Sequence, residues 1–200
     1  MCGRFRQDAK NPKIRAMRRK AGSILEQHPL PLELAEGEVF PTNIVTVLAL
    51  EADGPEPVPM FWGFPRWDRK GYLINARAET ALEKRMFRES LLLRPIAVPT
   101  TGFHEWQAED DGGKKCKFLF LEKKGEILYL AGLYDHFEGK DGLMREHLVI
   151  LTTEANASML PYHSRMPVLL RETELDDWFG GGMLEHYLYR EQFSLKAFAY

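Results

Sequence analysis

The second residue of the chain, a cysteine behind the opening methionine, carries the most distinctive chemistry in the sequence. Initiator methionine is normally removed when a small side chain follows it, so the mature chain is expected to begin at Cys2. Residue 2 would then be a 1,2-aminothiol. Its α-amine titrates near about 7.7–8.0 and its thiol near about 8.5, so a useful fraction of each nucleophile is deprotonated near neutral pH. Such a pair suits two reactions. The thiolate can attack an amide while the amine relays protons, as in a terminal-nucleophile hydrolase. Alternatively the amine condenses with an aldehyde and the thiol closes a five-membered thiazolidine. A cysteine placed there by chance, with no chemistry, is the third reading.

Four further clusters could serve either reaction. In Ile74-Asn75-Ala76-Arg77-Ala78-Glu79-Thr80 the polar residues alternate with apolar ones. An extended segment therefore puts Asn75, Arg77 and Glu79 on one face, either as a solvated strand face or as groups that orient a sugar oxygen and a phosphate. Glu105 stands between aromatic neighbours in Phe103-His104-Glu105-Trp106. Burial of a carboxyl beside an apolar ring raises its pKa and suits it to proton transfer, whereas a surface strand would leave it inert. His163 and Arg165 lie in Tyr162-His163-Ser164-Arg165-Met166-Pro167, which reads as a loop, where a histidine serves a ligand or reaction as readily as a core. Trp62 and Trp67 bracket a Gly-Phe-Pro-Arg turn, either packed beneath it or presented as stacking platforms for bases.

The elements that must position these groups follow from periodicity. Ile14, Met17, Ala21, Ile24 and Leu25 recur at helical spacing, which predicts an amphipathic helix from Pro12 to about Gln27 with a basic outer face. Leu30 to Gly37 reads as a loop, and strands are predicted at Ile44–Leu50 and, after a turn over Asp53–Pro57, at Val58–Trp62. A helix is expected over Ala81–Leu92, then strands at Pro95–Thr100, Phe103–Trp106, Lys117–Leu121, Ile127–Leu133 and His147–Thr152. Glu109–Lys115 reads as a hairpin loop and Gly139–Gly142 as a turn. Thr153–Asn156 reads as the start of a short helix. Acidic helices over Thr173–Phe179 and Met183–Tyr189 precede a last strand at Phe193–Phe198. Closely spaced strands of this kind predict an α+β fold, with a curled, barrel-like, mostly antiparallel sheet and a few flanking helices.

Two hundred residues suffice for one domain, expected to span 1–200, with a sizeable core. There is no apolar run approaching the ~18 residues of a membrane span and no signal peptide, so a cytoplasmic location is expected. Cys116, the other cysteine, is far from Cys2 in sequence, and neither C-x-x-C nor H-E-x-x-H spacing occurs. No disulfide framework, metal or cofactor is therefore expected. A net charge of −2 argues against wholesale nucleic-acid coating. Residues 1–20 nonetheless carry eight Lys and Arg against one acid, Asp8. That run is either a solvated helix face or the footprint of a polyanion.

Cys2-Gly3-Arg4-Phe5, Trp62-Gly63-Phe64, Ile74-Asn75-Ala76-Arg77-Ala78-Glu79-Thr80, Gly102-Phe103-His104-Glu105-Trp106 and His163-Ser164-Arg165-Met166-Pro167 occur together and in order. Over residues 2 to about 170 this set resembles the SOS-response-associated peptidase (SRAP) family, abasic-site processing proteins that covalently shield damaged single-stranded DNA. The resemblance implies a β-rich single domain with a positively charged DNA groove, no metal, and a thiazolidine crosslink to the ring-opened sugar of an abasic site. By position it makes Cys2 the aldehyde-capturing nucleophile and gives Asn75 the sugar or the Cys2 terminus to hold. It gives Glu105 and His163 proton transfer, and Arg4, Arg77 and Arg165 phosphates to grip. Trp67 is a looser match for a base-stacking wedge. The implied partner is single-stranded DNA containing abasic sites, bound by a monomer during the DNA damage response, and the family name adds a peptidase activity that would remove residue 1. His104 stands where the family commonly has Tyr or Phe, the 37–50 region is short, and no Asn-containing tail follows Tyr200. A terminal-nucleophile amidohydrolase is the rival reading, although the Arg and Asn-Gly segments that bind glutamine are not found. A plain single-stranded DNA-binding module with an inert Cys2 is another.

Overall fold

A computed structural model describes residues 2–68, 70–107, 115–139, 141–191 and 193–200. In chain order the elements begin with β1 (Arg4–Gln7), α1 (Pro12–Leu25), β2 (Gly37–Val39), β3 (Ile44–Glu51), β4 (Gly54–Trp62), β5 (Phe64–Pro65), β6 (Tyr72–Leu73) and β7 (Asn75–Arg77). They continue with α2 (Ala78–Ala81), α3 (Arg85–Leu93), β8 (Pro95–Thr100), β9 (Gly102–Gln107), β10 (Cys116–Glu122), β11 (Leu128–Glu138) and β12 (Met144–Glu154). Last come β13 (Arg165–Pro167), β14 (Leu169–Leu170), α4 (Leu175–Phe179) and β15 (Leu195–Ala199), with 3-10 turns at Glu172–Glu174 and Leu184–Tyr187.

Five strands close on themselves. β4 pairs with β3, β3 with β8, β8 with β11 and β11 with β12, all antiparallel, and a short parallel pairing of β12 with β4 completes the ring. Closure leaves these strands without a free edge over the paired stretch. A second sheet runs β15-β10-β9-β1-β2 and packs its Phe5, Phe103 and Phe120 face into the core. The expected barrel-like α+β fold is the observed one. The aliphatic runs of β3, β8, β11 and β12 are buried along most of their length, as strands covered on both faces require.

β1 is pinned between the two layers. The buried Gln7 side chain donates to the carbonyls of Thr46 and Pro99 and accepts from the Thr46 amide. These three bonds satisfy a buried amide and fix the strand that follows Cys2. At the junction of β9 with β10, a Cβ on Gly102 would lie 2.6 Å from the Phe120 carbonyl oxygen, so only glycine fits there.

Several boundaries differ from expectation. The hairpin between β3 and β4 turns within Glu51–Gly54, so β4 begins earlier than Val58, because Pro55, Pro57 and Pro59 alternate with residues that can still pair. The helix expected over Ala81–Leu92 is two pieces, broken at Leu82–Lys84. β12 extends through Glu154, held by β13 and β7, and overrides the helix start expected at Thr153. The helix expected over Met183–Tyr189 is only a 3-10 turn at Leu184–Tyr187, following three glycines that do not sustain an α-helix. Most of the loop expected over Glu109–Lys115 lies outside the described residues. Among the described residues no helix is long and apolar enough to cross a membrane.

Candidate active site

Cys2 immediately precedes β1 and is fully buried, in one apolar cluster with Phe5, Trp62, Phe103, Ile150 and Met159. Cys2 and Cys116 are not joined in a disulfide. Burial first, and then the negative charge of Glu105, push the Cys2 thiol far above its ordinary range, while the N-terminal ammonium and the Arg4 carbonyl pull the other way. Burial thus opposes ionisation of the thiol while residue 1 is in place, whereas the partly ionised thiol expected from sequence belongs to a chain that begins at Cys2.

Asn75 holds the residue in place. Its Nδ2 donates to the Cys2 carbonyl at 2.9 Å, and its buried Oδ1 has no hydrogen-bond partner among the described residues. β7 earns this position by lying parallel to β12, with Asn75 opposite Ile150 and Arg77 opposite Thr152. Trp62 helps, since its indole N–H donates to the Ile74 carbonyl at 3.0 Å.

The alternation over Ile74–Thr80 breaks after Arg77, where the chain turns into α2. Glu79 thus leaves the face shared by Asn75 and Arg77 and points to Arg165 instead. Arg165 Nη1 and Nη2 donate to the two Glu79 oxygens at 2.8 Å each, and Nη2 also donates to the Thr152 carbonyl at 2.7 Å. Burial pushes the Glu79 carboxyl up, but the Arg165 guanidinium and the Thr153 hydroxyl hold it below its usual range. A phosphate at Arg165 would have to share a guanidinium already engaged.

Glu105 is buried on the inner face of β9, across from Phe118 of β10. His163 is part-buried at the end of the turn that follows β12. His163 Nδ1 lies 2.9 Å from the Arg165 amide and 3.1 Å from the Arg165 carbonyl, so backbone groups of one residue fix the ring. Asn156 shapes that turn. Its Oδ1 accepts from the amides of Ser158 and Met159, and its Nδ2 donates to the carbonyls of Arg190 and Phe193. Gln107 then ties the turn to β9 by donating to the Pro161 carbonyl at 2.9 Å. Tyr162 packs its ring on Phe118 and Phe120, at 4.7 and 5.1 Å between centroids.

Arg4, His104 and Trp106 lie on the opposite face of the β1–β9 pair. Arg4 donates to Glu38 at 2.9 Å and stacks 3.7 Å from the Phe40 ring centroid. His104 is buried beneath this group, edge-on to Tyr200, and burial together with the positive charge of Lys117 lowers its pKa to about 4. Arg77 is exposed and has no ion-pair partner among the described residues. Trp67 is 88% exposed near the tip of the β5–β6 hairpin, which Phe64 anchors by packing on Phe87 and Phe137. Gly63 (φ 122°) permits the hairpin, because a Cβ there would meet Tyr72 Cβ at 2.9 Å. Trp62, by contrast, is the packed tryptophan of the pair.

The basic run of residues 1–20 is not one open polyanion surface. Arg4, Arg6, Lys13, Arg18 and Lys20 pair with Glu38, Asp8, Glu172, Glu36 and Glu56. Among the described residues there is no group of three or more His, Cys, Asp or Glu able to hold a metal ion. Sequence reasoning missed Asn156, Gln107 and Tyr162, which position the His163 turn. It also missed Glu79 as the partner of Arg165. No motif marks these roles, because each is made by contacts distant in sequence.

These features define a barrel protein whose second residue is a buried cysteine held through its carbonyl by the Asn75 amide and acted on by the charge of Glu105. The family profile described as SOS response associated peptidase (SRAP) matches residues 1–192. The chain belongs to that family. Among relatives, the Abasic site processing protein YoqW of Bacillus subtilis is 31% identical over 190 residues, covering 89% of this chain and 80% of its own length. The Abasic site processing protein YedK of Escherichia coli is 30% identical over 181 residues, covering 89% and 79%. A crystal structure of a protein from Bacteroides thetaiotaomicron superposes with a TM-score of 0.74 at 24% identity, over 99% of this chain and 91% of that one. A Bordetella bronchiseptica protein gives 0.73 at 21%, over 100% and 99%.

Proposed function

We propose that this protein processes abasic sites in single-stranded DNA by forming a covalent thiazolidine through Cys2 once Met1 has been removed. The observation that carries the reading is the hydrogen bond from Asn75 to the carbonyl of the buried Cys2, which fixes the nucleophile about its own Cα. Names borne by relatives at about 30% identity support abasic sites as the substrate.

The order of steps follows from protonation. An abasic sugar is mostly a closed hemiacetal, so a proton donor and acceptor must first open it. Glu105 and His163 are the candidates. The α-amine then attacks the aldehyde carbon, and loss of one water leaves an imine. The Cys2 S–H adds across that C=N bond, sulfur to carbon and proton to nitrogen, and closes the ring. Burial that opposes ionisation of the thiol favours this amine-first order over a thiolate-first hydrolase. Arg77 would meet a phosphate, Arg4 and Arg165 would do so while sharing their present acids, and Trp67 would stack on a base. Removal of Met1 by the chain itself would account for the family's peptidase name.

The test is the fate of the DNA strand with Cys2→Ser. Keeping the amine while losing the thiol should leave an imine that promotes β-elimination, so strand cleavage should rise as covalent complex falls. Equal cleavage by wild type and variant, with no complex in either, would overturn the proposal.

A further inference from the structure

The outer face of α3 leaves large apolar side chains in solvent that the fold does not use. Leu92 and Leu93 are 63% and 67% exposed, and Leu82 and Met86 flank them. Leu82, Leu92 and Leu93 border a depression of 290 Å³ also lined by Trp178 and Phe179. A contiguous apolar surface of this kind marks an interaction site more often than a solvated helix face. Its charges indicate the partner. An adjoining depression, sharing Leu92, is lined by Glu83, Glu89, Arg85 and Arg88, two acids and two bases. A face for DNA would carry one sign of charge, whereas a face balanced in this way complements itself.

We propose that this face joins two copies of the chain in a two-fold dimer, in place of the monomer expected from sequence. In an antiparallel apposition of two α3 helices centred near Phe87, Arg85 of one copy faces Glu89 of the other. Leu92 and Leu93 then meet the partner's Leu82 and Met86, and residue i contacts j as j contacts i, as a two-fold contact requires. The face is built from α3 and the segment before it, apart from the elements that carry Cys2, Asn75, Glu105 and His163.

Sedimentation velocity over a wide concentration range, on the wild type and three variants, tests the proposal. Wild type should shift with concentration from the 23.1 kDa chain mass toward twice that value. Leu92→Glu should weaken association by on the order of tenfold or more, as should Arg85→Glu with Arg88→Glu, since like charges then face each other. Adding Glu83→Arg and Glu89→Arg to the latter inverts the whole face and should restore the dimer. Unchanged thermal melting of Leu92→Glu would confirm that the variant is folded. A wild type that stays at the chain mass at every concentration overturns the proposal, as does a dimer indifferent to Leu92→Glu, or a charge-reversed pair that full inversion does not rescue.

Discussion

Burial raises the pKa of the Cys2 thiol, and on the proposed chemistry this would separate the two nucleophiles of one residue in time, the amine acting first and the sulfur adding once an imine has formed. Two outcomes follow. In the native protein, alkylation should reach exposed Cys116 at least roughly tenfold faster than Cys2, since only an accessible thiolate reacts. Mass spectrometry of tryptic peptides after brief iodoacetamide treatment checks this, and equal labelling would contradict it. The rate of covalent capture should also level off above about pH 8, where the amine is already free, with no further rise through the thiol range near about 8.5. Residue identity made much of the site readable in the sequence: a terminal aminothiol, a carboxyl among aromatic rings and a loop histidine are each unusual by type and neighbours. The protonation state was not readable, because it depends on burial created by Phe5, Trp62 and Phe103 from three separate strands.

The strands and turns decide where those residues point. Period-two patterning located most strands, since one or both faces are buried. It failed where pairing overrides local preference, as at Thr153 in β12, and where the chain turns within a motif, as at Ala78. The turn at Ala78 creates the Glu79–Arg165 pair, which ties α2 to β13 beside His163. Glu79→Gln should cost about 1–3 kcal/mol in denaturant unfolding, because a partly buried guanidinium loses its charged partner. The sign with pH follows from a carboxyl held below its usual range. The pair's contribution is present above the ordinary carboxylate pKa of 4.5 and is lost as pH falls below it. The variant should therefore show a flatter acid limb than wild type, and parallel limbs would contradict this. In the second sheet, Gly102→Ala should cost about 1–3 kcal/mol, because its Cβ would meet the Phe120 carbonyl at 2.6 Å. A thermal melt within error of wild type would refute that packing.

Charge is distributed over the molecule as paired patches, which sets how it would meet DNA. With five of the eight cations of residues 1–20 matched to acids, binding to a strand should depend only modestly on salt. Each phosphate contact contributes a slope of about −0.7 in log affinity against log salt for single strands. Arg77→Ala should remove about one such increment, whereas an unchanged slope would place Arg77 off the DNA path. The closed barrel was foreseen from strand spacing, but its closure by a short parallel pairing of β12 with β4 was not, since no local pattern encodes a pairing across the ring. The most direct measurement mixes the Met1-processed chain with single-stranded DNA bearing one abasic site, beside intact DNA and Cys2→Ala, on a denaturing gel. A heat-resistant shifted band is expected only with abasic DNA and Cys2 present. No such band, although mass spectrometry shows Cys2 at the N-terminus, would contradict capture by the aminothiol.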